Sequence, residues 1–349
     1  MMNPIAGHNI ANPFSSYVAR PDREPDIDVL RPKQGVLQMI EMTLDETSQT
    51  REPRIIPVLG SAGAGKTSLY WTVRKYANTR SQVVYISPQT TESHVDNLYA
   101  HLWSSLLDQY GMGVLHEVAH TLKSHYGSLD NAVSQLPGRT ALVVELFFAF
   151  DEDKFHQTAK YLFSGLKVDN PILPNEARSF LEDDELCFQA LKMVLKCADR
   201  PIMFYFDEIE SLFVSLGERP EIRLLEKIKR MYNELENVVI VLSSLPQVWE
   251  RIVQLSTVSA VSRFENPTLI GRFTKEDLNN FVTEKLGRYW DDHHITRSVP
   301  TPVWPFQQEE LEAVHSESGG NPREAIKALR LRWLDHKESV GQYLQGLAN

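Results

Sequence analysis

The segment Gly60-Ser61-Ala62-Gly63-Ala64-Gly65-Lys66-Thr67 constrains this chain more than any other. It has the spacing G-x-x-x-x-G-K-[ST] and lies between an apolar run, Ile55 to Leu59, and a run with helical character. In a strand–loop–helix arrangement, glycines with positive φ let backbone N–H groups surround an anion, and the helix dipole points its positive end at the same place. The segment therefore predicts a phosphate-binding loop. The residues expected to contact a nucleotide are Gly60, Ser61, Ala62, Gly63, Ala64, Gly65, Lys66, Thr67 and Ser68, with Lys66 on the β- and γ-phosphates and Thr67 on Mg²⁺.

Composition indicates an ordinary globular protein of 349 residues, with 42% hydrophobic and 23% charged residues. That length suits two domains, or one large core with an appended lid. No window approaches the roughly 18 uninterrupted apolar residues of a membrane helix. The first eight residues contain neither the basic nor the apolar part of a secretion signal, so we expect a cytoplasmic protein with no membrane association.

Net charge limits the partners that the chain is expected to bind. The formal charge is -10, which disfavours broad electrostatic binding to nucleic acid, because affinity for a phosphate backbone grows with the number of basic contacts. The predicted helix 221–235 does carry Arg223, Lys227, Lys229 and Arg230. A solvated helix face is the favoured interpretation of these bases, with DNA contact as the alternative. On charge alone, a protein partner is as plausible as DNA.

Periodicity divides the chain into an arm, a core and a lid. Residues 1–28 are rich in Pro, Asn and Ser and predict an extended arm, which either packs on the nucleotide site, grips a neighbouring subunit or is an untethered tail. Residues 29–270 predict an α/β core with a mainly parallel sheet, and 271–349 a helical lid. A helical insertion is expected at about 110–180, between the second and third strands. Pro57 lacks a ladder N–H, so the regular part of the first strand is expected to begin at Val58, or the strand to be distorted there.

A second chemical signal follows the apolar run Ile202 to Phe206, which ends in Asp207 and Glu208. A strand buried on both faces is expected here, with its two terminal carboxylates beside the phosphate loop. Asp207 is then suited to hold Mg²⁺ through water. Glu208 is suited to orient and deprotonate the attacking water.

Three further positions supply polar groups after predicted elements. The strand 238–242 is followed by Ser243-Ser244, whose hydroxyls are candidates for contact with the γ-phosphate or the lytic water. Arg263 lies in Ser262-Arg263-Phe264. Near the end, Gly320-Asn321-Pro322-Arg323 has a cap residue and a proline suited to start a helix, which fixes Arg323 in the first turn, where a guanidinium reaches a phosphate across a cleft.

In this order, the motifs resemble those of AAA+ ATPases, and the Gly-Asn-Pro-Arg helix entry resembles most the branch of origin-recognition and archaeal replication-initiator proteins. The pattern Tyr205-Phe206-Asp207-Glu208-Ile209-Glu210 and the insertion also resemble ATPases of BREX-type phage-defence systems. The resemblance covers about residues 30–335. It implies a three-layer P-loop NTPase domain with a helical insertion and a C-terminal helical lid, binding ATP and Mg²⁺ and forming homo-oligomers.

The resemblance also implies a role for each motif. Gly60 to Thr67 correspond to Walker A, Asp207 and Glu208 to Walker B, Ser244 (or Ser243) to sensor 1, Arg323 to sensor 2 and Arg263 to the arginine finger of a neighbouring subunit's site. Sensor 1 is often Asn in these families and is Ser here.

A competing metal motif is His116-Glu117-Val118-Ala119-His120, which matches H-E-x-x-H. On a helix, the two histidines share one face suited to Zn²⁺, and Glu117 is placed to act as a base. The pattern is short, 11 histidines make a chance match plausible, and a plain helix is the favoured interpretation.

Three functions follow as hypotheses. The first is an ATP-hydrolysing AAA+ motor or switch that acts as an oligomer on DNA or a nucleoprotein complex. The second is a regulatory or scaffold ATPase of signalling type that acts on a protein partner. The third, a remote one, is a zinc metallopeptidase using His116 and His120.

Overall fold

The computed structural model describes residues 11–87, 95–136, 138–152, 154–166, 180–215, 218–292 and 299–348. The chain divides into two compact units. The first takes its described residues from Met1–Leu37, Gly60–Thr72 and Leu269–Asn349, and the second from Gln38–Leu59 and Val73–Thr268. Each unit has a hydrophobic core of its own.

A five-stranded sheet is the centre of the second unit. Its strands are β1 (Arg54–Leu59), β2 (Gln82–Ile86), β3 (Ile202–Phe206), β4 (Val238–Ser244) and β5 (Thr268–Leu269), in the order β2-β3-β4-β1-β5. The pairs β2/β3, β3/β4 and β1/β4 are parallel. Every residue of β3 and β4 is buried, as expected for strands covered on both faces. The predicted mainly parallel sheet is confirmed.

Pro57 lies inside β1 and leaves the strand regular. The structure pairs Pro57 with Leu242 in register, and the strand begins at Arg54, so the prediction of a start at Val58 was wrong. The carbonyl of Ile55 accepts a 2.8 Å hydrogen bond from the N–H of Glu265, on the side of β1 away from β4. Residues two apart in a strand direct their polar groups to the same side, so the missing N–H of Pro57 costs no bond to β4.

Helices account for most of the remaining described residues. Before β2 these are the short 3₁₀ turn Arg31–Lys33, α1 (Gln34–Thr50) and α2 (Lys66–Tyr76). Between β2 and β3 are α3 (Leu98–Tyr110), α4 (Gly113–Tyr126), α5 (Leu129–Gln135), α6 (Gly138–Phe150), α7 (His156–Phe163) and α8 (Asp184–Cys197). After β3 follow α9 (Glu210–Ser215), α10 (Glu218–Glu234), α11 (Pro246–Leu255), α12 (Val258–Val261), α13 (Lys275–Asp292), α14 (Gln308–Ser318) and α15 (Pro322–Ala348).

The predicted helical insertion is confirmed between β2 and β3, although part of its predicted range, 167–179, lies outside the described residues. Its centre is aromatic. The rings of Trp103 and Phe163 lie 5.4 Å apart, and those of Phe147 and Phe163 lie 5.0 Å apart. The indole N–H of Trp103 donates to the carbonyl of Phe163 at 2.9 Å, which satisfies a buried donor.

The first unit combines the C-terminal helices α13 to α15 with residues from the N-terminal arm. Phe14 is fully buried there, with its ring 5.8 Å from that of Phe306 and 6.4 Å from that of Trp333. The side-chain amide of Asn12 donates to the carbonyl of Arg330. The described part of the arm is therefore packed, not an untethered tail. Among the helices that the structure describes, none is both long enough and apolar enough to cross a membrane.

Candidate functional site

The phosphate loop has the strand–loop–helix setting that its sequence predicts. β1 ends at Leu59, α2 begins at Lys66, and Gly63 and Gly65 have φ values of 79° and 96°. Lys66 is 9% exposed, and its ammonium donates to the carbonyl of Gly60 at 3.2 Å. The lysine is thus folded back on the loop. This places a positive charge beside the backbone that the motif uses to surround phosphates.

Gly63 is a position where no side chain fits. A Cβ there would lie 2.7 Å from the Cβ of Arg323 and 2.8 Å from Oδ1 of Asn321. Its positive φ is also a conformation that residues with a side chain rarely adopt. The glycine therefore permits close approach of the chain at 321–323 to the phosphate loop, within the first unit.

Asn321 joins the start of α15 to the loop. Its Oδ1 accepts from the N–H groups of Arg323 (3.1 Å) and Glu324 (3.3 Å), which confirms the cap predicted from sequence. Its Nδ2 donates to the carbonyl of Ala62 at 2.8 Å, a contact that the sequence did not predict. The N–H of Arg323 also points to the carbonyl of Gly63, at 3.4 Å. The structure thus brings Arg323 against the phosphate loop.

A buried lysine contacts α2 just after the loop. The ammonium of Lys33 donates to the hydroxyls of Ser68 and Thr72, both at 2.8 Å, and to the carboxylate of Asp28. The Thr72 hydroxyl in turn donates to Asp28 at 2.7 Å. Burial lowers the pKa of Lys33, and the charge of Asp28 opposes that effect. The side chain of Ser68, which the sequence assigned to nucleotide contact, is therefore engaged in this cluster.

The two carboxylates after β3 lie in different environments. Asp207 is fully buried and its N–H donates to the carbonyl of Ile86 at 2.9 Å, whereas Glu208 is exposed. Glu208 has φ of 59°, in the left-handed region that is unfavourable for a side chain of this kind. A buried carboxylate suits cation binding, and an exposed one suits contact with water.

Two residues at the carboxyl end of β2 contact these carboxylates, and neither was predicted from the sequence. The hydroxyl of Tyr85 donates to Oδ2 of Asp207 at 3.2 Å, and the hydroxyl of Ser87 donates to Oε2 of Glu208 at 3.3 Å. Burial, and after it the charges of Asp207 and Glu208, raise the pKa of Tyr85 well above its ordinary value, so the phenol keeps its proton. The only sequence signal was their position at the end of a predicted strand.

The serines at the end of β4 are both buried. Ser244 pairs in register with Leu59, the residue that immediately precedes the phosphate loop. Its hydroxyl has no hydrogen-bond partner in the part of the chain that the structure describes. A buried hydroxyl without a partner is unfavourable unless a ligand or water satisfies it, which is consistent with a position at a binding site.

Arg263 packs on its own chain. It is half-buried, and its guanidinium carbon lies 5.4 Å from the ring centre of Tyr232. Its Nη1 is buried and makes no hydrogen bond to the described residues. Action of Arg263 on a neighbouring subunit remains a prediction.

The basic residues of α10 are largely paired with acids. Arg223 contacts Asp96 at 2.6 Å, Arg230 contacts Glu185 at 2.6 Å, and Lys227 contacts Asp184. These pairs reduce the positive potential that a phosphate backbone would meet on this helix. Lys227 and Arg230 lie partly buried in these pairs, which differs from the fully solvated helix face that was the favoured interpretation.

The H-E-x-x-H segment lies on α4, with both histidines exposed. The ring of His116 lies 4.6 Å from that of Phe150 and stacks on that of His156 at 5.5 Å. Within the described ranges, no group of three or more His, Cys, Asp or Glu side chains is arranged to hold a metal ion. The third ligand that a zinc site needs is thus not found among those residues.

Comparisons with known proteins give similarities in structure only. No protein-family model matches the chain, and no curated protein matches it in sequence. Among solved structures, the ORC2 protein of Aeropyrum pernix in ADPNP–ADP complexes is 11% identical with a TM-score of 0.45, covering 92% of this chain and 64% of its own. A Walker-type ATPase of Pyrococcus abyssi is 16% identical with a TM-score of 0.47, covering 95% of this chain and 75% of its own.

A third similar structure is Drosophila ORC bound to DNA. It is 16% identical with a TM-score of 0.42, covering 89% of this chain and 64% of that one. The chain therefore spans less than two thirds of the length of some of the structures that it matches.

Proposed function

We propose that this chain binds ATP at its phosphate loop and hydrolyses it. One observation carries the proposal: β1, β4 and β3 are adjacent parallel strands whose carboxyl ends share one edge of the sheet. The loop begins at the residue after β1, and Asp207 and Glu208 begin at the residue after β3. Strands lie about 4.8 Å apart, so with β4 between them the ends of β1 and β3, both in the second unit, are roughly 10 Å apart.

The residues present fit a magnesium ion. Mg²⁺ prefers oxygen ligands and is bound in nucleotide sites through a hydroxyl, a carboxylate, water and the phosphates. Thr67, in the first turn of α2, and the buried carboxylate of Asp207, the latter through water, are the protein oxygens that the motifs assign to the ion. When bound, the cation would neutralise charge on the phosphates.

The other side chains have distinct roles in the proposed reaction. Lys66 and the loop N–H groups bind phosphate oxygens. Glu208, exposed beside the buried Asp207, orients and deprotonates the attacking water. Ser244 supplies a hydroxyl at the end of β4, and Arg323, whose backbone contacts Gly63, adds a positive charge that responds to the terminal phosphate.

Binding and turnover of ATP test the proposal directly. The Lys66→Ala variant is expected to lose binding of a fluorescent ATP analogue, whereas Lys75→Ala, an exposed lysine on the same helix, is expected to bind like wild type. The Glu208→Gln variant is expected to bind ATP and release no phosphate. Turnover by Glu208→Gln at the wild-type rate would show that the carboxylate assignment is wrong.

We also propose that turnover depends on assembly, with Arg263 completing the site of a second copy. The support is the Ser262-Arg263-Phe264 motif alone. Arg263→Ala is expected to lose the assembly-dependent part of turnover, and mixing it with Lys66→Ala subunits, which still supply the arginine, is expected to restore some of it. An absence of rescue, in mixtures shown by mass measurement to assemble, would count against action between subunits.

For the partner, DNA or a nucleoprotein complex is proposed from the motif resemblance. A protein partner is the second candidate, and the acid-paired bases of α10 favour it. Measuring ATP turnover with and without duplex DNA separates the two. Stimulation by DNA supports the first candidate, and unchanged turnover supports the second.

A further inference from the structure

We propose that Tyr85 is a positioning residue for Asp207, and through it for the divalent cation that accompanies the nucleotide. The inference rests on the proposed ATP-binding function and adds a residue to it. Its basis is one contact, the 3.2 Å hydrogen bond from the Tyr85 hydroxyl to Oδ2 of Asp207. Both residues belong to the second unit.

The environment of Asp207 gives this hydrogen bond its weight. The aspartate is fully buried, so solvent does not fix the orientation of its carboxylate. A buried carboxylate depends on the few donors that protein side chains and backbone offer it. A donor on Oδ2 selects one rotation of the carboxylate plane. It thereby determines the direction in which Oδ1 and the remaining lone pairs point. That direction decides how the carboxylate can bind a cation, directly or through water.

Tyr85 is itself held on both sides. It pairs with Tyr205 in the register of β2 and β3. On the other edge of β2, the N–H of Tyr85 donates to Oε1 of Gln109, and Nε2 of Gln109 donates to the carbonyl of Tyr85, both at 3.0 Å. The side-chain amide of Gln109 thus takes the place of a further strand at this residue. The N–H of Val83, on the same edge of β2, donates to the Tyr110 hydroxyl at 2.6 Å.

These contacts fix the backbone that carries the Tyr85 phenol. Gln109 and Tyr110 both lie at the end of α3. Because β2 is paired with β3 and with Gln109 of α3, the phenol extends from a backbone that is held in place. A residue held in this way positions its partner more effectively than one on a loose loop.

The test compares Tyr85→Phe with wild type in nucleotide affinity, with Mg²⁺ and with EDTA. Removing one hydroxyl from a buried hydrogen bond corresponds to roughly a 3- to 10-fold change in an equilibrium constant. In EDTA, the affinity of Tyr85→Phe for a fluorescent ATP analogue is expected to equal that of wild type. When Mg²⁺ is titrated in, the Mg²⁺ concentration that produces half of the increase in nucleotide affinity is expected to be about 3- to 10-fold higher in the variant. Binding of Mn²⁺ to the nucleotide complex, followed by electron paramagnetic resonance, gives a readout independent of turnover.

The control is Tyr99→Phe. The Tyr99 hydroxyl donates to the carbonyl of Lys227 at 3.2 Å, so this variant loses a comparable hydrogen bond away from Asp207. Its Mg²⁺ dependence is expected to match that of wild type. A double-mutant cycle with Asp207→Ala, which leaves no acceptor for the Tyr85 hydroxyl, then tests the pairing, because the effect of Tyr85→Phe is expected to vanish in that background.

Three outcomes would overturn the inference. Tyr85→Phe could show the same Mg²⁺ dependence as wild type, it could lose affinity equally with and without Mg²⁺, or its effect could persist in the Asp207→Ala background. If wild type itself bound no nucleotide in either condition, the proposed ATP-binding function would be wrong and this inference with it. The wild-type measurement therefore distinguishes the two failures.

Discussion

Asn321 makes hydrogen bonds with both ends of its amide, to Ala62 on the phosphate loop through Nδ2 and to the first turn of α15 through Oδ1. Two substitutions separate these roles. Asn321→Asp keeps the capping oxygen and loses the donor to Ala62, whereas Asn321→Ala loses both. In urea unfolding, we expect Asn321→Asp to cost about 1 kcal/mol for the lost hydrogen bond. We expect Asn321→Ala to cost about 1 kcal/mol more for the lost cap. Equal stability of Asn321→Asp and wild type would mean that the contact with Ala62 contributes nothing.

Two glycines of the loop provide a matched comparison for close packing. Gly63 and Gly65 both have positive φ, but a Cβ at Gly65 would meet only the Cβ of Ser68, at 3.9 Å, whereas one at Gly63 would collide with Arg323. Both alanine variants carry the backbone strain, and Gly63→Ala alone adds overpacking. We expect it to be less stable than Gly65→Ala by about 1–3 kcal/mol in urea unfolding. Indistinguishable midpoints would show that the start of α15 moves away from the loop without cost.

The local parts of this fold were predictable from sequence because local chemistry determines them. The glycines and the lysine of the loop specify a strand–loop–helix turn whatever surrounds them, and the apolar runs before Asp207 and Ser243 specify buried strands. The fully apolar interior of β3 and β4 leaves few alternatives to a parallel sheet.

The parts that sequence missed depend on residues far apart in the chain. Tyr85 and Asp207 are 122 positions apart, and Lys33 and Ser68 are 35 apart. No periodicity links such residues, since the sheet order and the path of the arm decide that they meet. The prediction about Pro57 was wrong for a related reason. Whether a missing N–H matters depends on which neighbour the residue faces, and the neighbour is known only from the strand order.

The left-handed backbone conformation of Glu208 is expected to lower the free energy of unfolding. Its φ of 59° favours glycine over any residue with a Cβ. Both Glu208→Gly and Glu208→Ala remove the carboxylate, so their difference isolates the backbone. Glu208→Gly is expected to be more stable than Glu208→Ala by about 1 kcal/mol in thermal or urea unfolding.

The control for the Glu208 comparison is the pair of variants Glu226→Gly and Glu226→Ala, at an exposed glutamate of α10. There the order should reverse, with alanine favoured by about 1 kcal/mol, because glycine weakens a helix interior. If glycine were the less stable residue at both positions, the left-handed conformation of Glu208 would be in doubt.

The contact between α8 and α10 should give a pH-dependent contribution to stability. Glu185 forms hydrogen bonds with Arg230 at 2.6 and 2.9 Å, and the guanidinium carbon of Arg230 lies 3.9 Å from the ring centre of Phe188. The hydrogen bonds from Arg230 lower the pKa of Glu185 below its ordinary value of 4.5, although burial opposes them. Because the folded-state pKa is the lower one, the stabilisation is complete above pH 4.5 and is lost as the pH falls through the folded-state pKa.

Comparing Glu185→Gln with wild type in urea unfolding at several pH values tests this sign. The pair is partly exposed, so at pH 7 we expect the variant to be less stable by at most about 1 kcal/mol. The difference should stay constant down to about pH 5 and shrink below it, as wild-type Glu185 takes up a proton. Glu226→Gln, an exposed glutamate on α10, is the control and is expected to differ little from wild type at any pH. A difference between Glu185→Gln and wild type that grows on acidification would contradict the assigned direction, because it would require the folded state to raise the pKa of Glu185.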